Sequence, residues 1–210
     1  MKSDGETKER LIVSAKKEFM EKGYMKASLR TICKNAGVTT GALYFFFQDK
    51  EDLFASIVEP PFLELIQILD EHLEEDEGLV SLKKWRNLQD LYHDHGDLEE
   101  GIVHHLYSNY DSFILLLKGA QGSKFENCLN HLVNKLEEDY RGLINDMIKI
   151  KPEIQQDEYM LHWITHMSID AFIHLLTLEP DEKKAIEHME LIMKYIISGW
   201  MQLVVRPNNK

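Results

Sequence analysis

Cysteine is scarce in this chain: Cys33 and Cys128, ninety-five positions apart, are the two in 210 residues. That excludes a disulfide framework, and the ten histidines form no zinc-finger spacing with them. No apolar run approaches the roughly 18 residues of a membrane span, and no charged-then-apolar leader is present, so a soluble cytoplasmic protein is expected. Asn-Gly and Asp-Gly turns between alternating strands are missing, which removes the hairpin signal of a β protein. G-x-S-x-G, P-loop and H-E-x-x-H patterns are missing too, and with them the usual sequence marks of an enzyme. No cofactor is implied.

What is present is 44% hydrophobic residues, enough for a packed core, and an uneven charge. The net charge of −12 taken whole argues against a nucleic-acid partner. Residues 1 to 50, however, carry ten Lys/Arg against six Asp/Glu, a net of +4, which leaves fourteen against thirty, a net of −16, for residues 51 to 210. A basic head can approach phosphates while an acidic body disfavours lying on the polyanion.

Helical periodicity runs through nearly every segment, so the fold class is all-α. A first helix spans about Thr7 to Lys22, its inner face built from Leu11, Ile12, Ala15, Phe19 and Met20, and Gly23 ends it. Ser28 caps a short second helix that stops at Gly37, and Thr39 or Thr40 caps a third that runs through Phe47. Asp49 caps a fourth from Lys50, and Pro60-Pro61 predict a kink or break within it. Further helices are expected at about 80 to 94, 97 to 118, 122 to 149, 154 to 178 and 181 to 205, with a helix junction at Gly119 and Gly122.

The last two helices are unusually apolar. Phe172, Leu176, Ile192, Ile196 and Trp200 represent a surface larger than a monomer of this size easily hides, and it reads either as a homodimer interface or as the chain's own core.

Residues 7 to 54, "TKERLIVSAKKEFMEKGYMKASLRTICKNAGVTTGALYFFFQDKEDLF", resemble the N-terminal DNA-binding domain of the TetR/AcrR family of transcriptional regulators. The likeness rests on Ala15, Phe19, Gly23-Tyr24, Ser28, Ile32, Ala36-Gly37-Val38, Leu43-Tyr44, Phe47, Lys50 and Leu53 in one ungapped register. It implies a three-helix helix-turn-helix domain at residues 1–50 and a helical ligand-sensing and dimerisation domain at 51–210. The partners it implies are a double-stranded, palindromic DNA operator, a small-molecule inducer that releases it, and a second copy of the chain. By position, Arg30, Thr40, Ala42, Tyr44, Phe45 and Lys50 make the DNA-contacting set, with Lys50 as the family's phosphate-binding lysine; Thr39 adds a hydroxyl for phosphate or base, and Gly41 permits close approach. A helix that starts at a glycine turn is suited to this, since its first residues can enter the major groove.

The run Phe45-Phe46-Phe47 departs from the family's form, which has a polar ring at Phe46. Helical geometry turns the three rings about 100° apart. Phe47 is then the core residue, packed on Phe19 and Ile32. Phe45 faces the groove, where an aromatic edge can meet a thymine methyl, and Phe46 takes the rim; alternatively, Phe45 and Phe46 extend the core.

For the sensing half, Trp85, Tyr92, Tyr107, Tyr110, Phe113, Phe125 and Trp163 are the candidate ligand-pocket residues, each also a candidate for plain core. His162, His166, Asp170 and His174 recur every four residues and make a ligand-capable stripe. A helical metal- or haem-binding sensor using His162, His166 and His174 is therefore the alternative reading, against a stripe that is merely an interface's polar flank.

Overall fold

The computed structural model describes residues 4–81 and 96–204. Its helices are α1 (Asp4–Lys26), α2 (Leu29–Ala36), α3 (Thr40–Phe46), α4 (Lys50–Ser81), α5 (Gly96–Ser108), α6 (Tyr110–Ile114), α7 (Cys128–Ile150), α8 (Glu158–Leu178) and α9 (Glu182–Val204). A π-helical turn, Leu115–Gly119, continues α6, and no strand occurs among the described residues. The all-α class is as expected. The described residues fall into two compact units, one within Met1–Leu65 and Asn109–Leu129, the other within Ile66–Ser108 and Asn130–Lys210. The packing unit that holds the first three helices thus runs past residue 50 and takes in the start of α4 and the segment around α6.

In the first unit, Leu11, Ala15 and Phe19 are buried at i, i+4 and i+8 along α1. Beside them two polar residues are buried with their partners. The Ser14 hydroxyl donates to the Ile32 carbonyl at 2.9 Å, and Glu18 accepts the Ser28 amide at 3.1 Å. Glu18 therefore satisfies an amide at the start of α2, where a helix leaves donors unpaired and favours negative charge. Gly23, at φ 70 and ψ 165, interrupts α1 in a conformation open chiefly to glycine, and one more turn follows to Lys26.

Pro60 and Pro61 do not break α4, which runs unbroken from Lys50 to Ser81. The cost of a helical proline is a carbonyl four residues back that loses its amide donor. For Pro61 that carbonyl belongs to Ile57, and the buried Ser112 hydroxyl donates to it at 3.0 Å. A side chain fifty-one positions away supplies what the proline lacks, and a buried acceptor that would cost about 1–3 kcal/mol unpaired is satisfied. The expected helix at 80 to 94 lies almost wholly outside the described residues. The expected junction at Gly119 and Gly122 is present: turns occupy the segment between Gly119 and Cys128, with Gly122 at φ 82.

The second unit has two apolar clusters. Leu143, Ile144, Met147, Ile154 and Leu161 form one, with Trp200 packed against it. Val103, Leu175, Ala185 and Met189 form the other, against which Phe172 and Ile192 pack. Leu176 and Ile196 are 3% and 5% exposed. All five residues expected at a dimer interface therefore contribute to this chain's own packing. Among the described residues, the large apolar side chains left in solvent on α8 and α9 are others: Tyr159, Trp163, Leu178, Leu191 and Tyr195.

Glu99, on α5, is 7% exposed and its carboxyl is pushed up to about 7, first by burial and then by Glu190. A carboxyl whose folded-state pKa is raised is protonated longer in the folded chain than in the unfolded one. Its contribution to stability is fully present below the ordinary value near 4.5 and declines as pH rises to about 7. Glu99→Gln should leave stability unchanged at pH 4 and raise it at pH 8 by up to about 3 kcal/mol, read by urea unfolding. A variant equal to wild type at both pH values would contradict this.

Candidate nucleic-acid interface

The turn between α2 and α3 is set by backbone chemistry. Gly37 takes the left-handed conformation at φ 65 and ψ 38. Its amide donates to the Lys34 carbonyl at 3.1 Å and the Val38 amide to the Cys33 carbonyl at 3.0 Å, which closes the end of α2. Thr39 then caps α3, its Oγ1 accepting the Ala42 amide at 3.2 Å. Behind α3, burial pushes the Cys33 thiol's pKa up, against a smaller opposing influence of Thr40. Thr39, expected to face a nucleic acid, thus also fixes the start of α3.

α3 buries Leu43 completely, and Phe47, which ends the helix, is buried behind it. Tyr44 and Phe45 point the other way, 54% and 73% exposed. Phe45 does not extend the core. Phe46 is half-buried, its ring edge-on to Phe45 at 4.9 Å and 6.5 Å from Phe47. Phe47 has the Lys8 ammonium over its ring at 5.7 Å, while the rings around Phe19 are Tyr24 and Phe54 rather than the expected Phe47. Arg30 and Gly41 are exposed and Ala42 is half-buried. Arg30, Thr39, Thr40, Gly41, Ala42, Tyr44 and Phe45 therefore all lie on α2, α3 or the turn between them.

Lys50 is different. Its ammonium donates to the carbonyls of Tyr24 at 2.8 Å and Met25 at 3.2 Å, and sits 4.5 Å above the Tyr24 ring. It closes the exposed carbonyl end of α1 with two of its three protons. Burial, and after it the nearby Glu51 carboxylate, pushes the Tyr24 hydroxyl's pKa up to about 12.

Two interior groups had no sequence signal. Glu18 sits among charged neighbours in "KKEFMEK" like any solvated acid. Arg10 has its Nε buried without a hydrogen-bond partner, and its Nη1 lies 3.8 Å from where a side chain at Gly37 would begin. A Cβ there would make only an ordinary contact, so it is the left-handed φ of 65 and not space that favours glycine at this turn.

The described pocket candidates are divided between the two units. Tyr110, Phe113 and Phe125 belong to the first unit, where Phe125 packs on Phe54 at 6.1 Å, and Tyr107 and Trp163 belong to the second. Tyr107 donates its hydroxyl to the Leu175 and Glu179 carbonyls and so finishes α8. Trp85 and Tyr92 lie outside the described residues.

Residues 11–57 match the model of bacterial regulatory proteins of the tetR family. Residues 11–57 are thus a segment of the tetR-family type. Among curated tetR-family relatives, the HTH-type transcriptional repressor BepR of Brucella suis is 45% identical over 53 residues, 25% of each chain. The chain therefore spans about a quarter of the length of the curated relatives it matches first. Likeness of fold to solved structures extends over far more of the chain. A transcriptional regulator from Aquifex aeolicus superposes with a TM-score of 0.61 over 90% of this chain and 99% of its own, at 21% identity. The FadR regulator of Bacillus subtilis, solved with stearoyl-CoA, gives 0.53 over 90% and 97%, at 16% identity.

Lys50→Met keeps the apolar stem and removes the charge. It should cost about 1–3 kcal/mol in thermal unfolding, because two carbonyls lose their charged donor. A melting temperature equal to wild type would show that the ammonium does not hold this end of α1.

Proposed function

We propose that this chain is a DNA-binding transcriptional regulator, a repressor that binds a palindromic operator as a homodimer and is released by a small-molecule inducer. The observation that carries the reading is α3 itself. Leu43 and Phe47 anchor it, while Tyr44 and Phe45 stand in solvent within a tetR-family segment. Large exposed aromatic groups on a short, well-anchored helix are costly in water unless something covers them. A base edge or thymine methyl is a fitting partner for Phe45, and a phosphate for the Tyr44 hydroxyl.

Arg30, Thr39, Thr40, Gly41, Ala42, Tyr44, Phe45 and Lys50 are the contacting set under this reading. Lys50 has one proton left for a phosphate after its two carbonyls. The basic head supports the reading, the more so because one of its six acids, Glu18, is buried against a helix start. A second copy of the chain would cover the exposed apolar residues of α8 and α9. Leu191 and Tyr195, 64% and 77% exposed and one turn apart, are the first candidates for that contact. The stearoyl-CoA held by FadR is in keeping with a small-molecule effector here, whose class is open to direct screening.

The test is fluorescence anisotropy with the DNA upstream of the chain's own gene. Tyr44→Ala and Phe45→Ala should each weaken binding about tenfold or more at unchanged melting temperature, and Phe46→Tyr should tighten it by restoring a hydroxyl at the rim. Wild-type affinity in both alanine variants would overturn the assignment of α3.

A further inference from the structure

The histidine stripe of α8 does not act as a stripe. His162 and His166, one turn apart, bring their rings to 4.5 Å, and the third member comes from α7: Glu137 lies against His162, with Oε1 2.5 Å from Nδ1. One ligand atom from each of Glu137, His162 and His166 lies within 4.8 Å of the others. His174, two turns further along α8, is not part of this group. All three residues lie in one compact unit.

We propose that Glu137, His162 and His166 form a binding site for a divalent transition-metal ion, with zinc as the best-matched occupant. Two imidazoles and a carboxylate are a donor set that suits zinc and its neighbours in the first transition row. Ligands at 2.0–2.2 Å from a tetrahedral ion stand about 3.4 Å apart. Rotation of the half-exposed His162 and His166 side chains closes the remaining distance. Three protein ligands leave a fourth position for water or another donor.

The neighbouring rung of the same helix pair removes an obvious obstacle. Arg141, one turn along α7 from Glu137, is the cation that would repel the ion. Its guanidinium is held by Glu158, at 3.1 Å from Nε and 2.9 Å from Nη2, so its charge is matched. Glu137 itself is mostly buried, with 14% of its side chain exposed, which makes a carboxylate there dependent on a positive partner. In the chain as it stands the His162 ring lies against that carboxylate, and a bound ion would supply the positive charge. The site stands whether or not α3 reads DNA.

The experiment is equilibrium dialysis of the full, untagged chain against zinc(II) at pH 7.5, followed by cobalt(II) uptake read by visible absorption. The expected result is one ion per chain, affinity lowered at least tenfold by Glu137→Gln, by His162→Asn and by His166→Asn, and no change in His174→Asn. Zinc should raise the melting temperature of wild type and of His174→Asn but not of the three site variants, whose own melting curves report that they are folded. No stoichiometric uptake, uptake that survives the three site substitutions, or an equal loss in His174→Asn would overturn the site.

Discussion

The seating of Phe54 between Phe19 and Tyr24 is the contact on which the first unit depends. The Phe54 ring meets Phe19 edge-on at 5.0 Å and Tyr24 at 5.2 Å. It joins the end of α1 to the beginning of α4, and Lys50 secures the same junction from outside through the Tyr24 carbonyl. With α1 held at both faces, Ser14 and Glu18 can fix α2, and the Gly37 turn then sets where α3 begins. α3 has two anchors, Leu43 and Phe47, and seven residues. So short a helix has little stability of its own, and its exposed face is fixed because everything behind it is.

Much of this was legible in the sequence, and for identifiable reasons. The caps at Ser28 and Thr39 and the stop at Gly37 are local signals, and each appears in place with its hydrogen bond. The 100° step along α3 separated the three phenylalanines correctly into one buried, one half-buried and one exposed ring. Features that depend on a distant partner were hidden. The prolines of α4 read as a break because Ser112, which satisfies the Ile57 carbonyl, lies fifty-one positions past Pro61. The same applies to the histidines, since periodicity along α8 offers His174 while the group that meets His162 comes from α7.

The terminal helices teach a related lesson. Apolar residues at nearly every angle of α8 indicated more surface than one partner helix covers, but not which residues would be left over. Leu176 and Ile196 are taken by the chain's own core, and Leu191 and Tyr195 remain in solvent. Which side of an all-apolar helix faces inward is decided by the neighbours α5 and α9, which pack on it.

The central claim, that α3 reads a DNA sequence for a two-fold symmetric assembly, is tested most directly by selection from a random duplex library with the full chain. Enrichment of an inverted repeat is expected, its half-sites one helical turn, about 34–36 Å, or a multiple of it apart. A library that emerges without an enriched inverted repeat would contradict it.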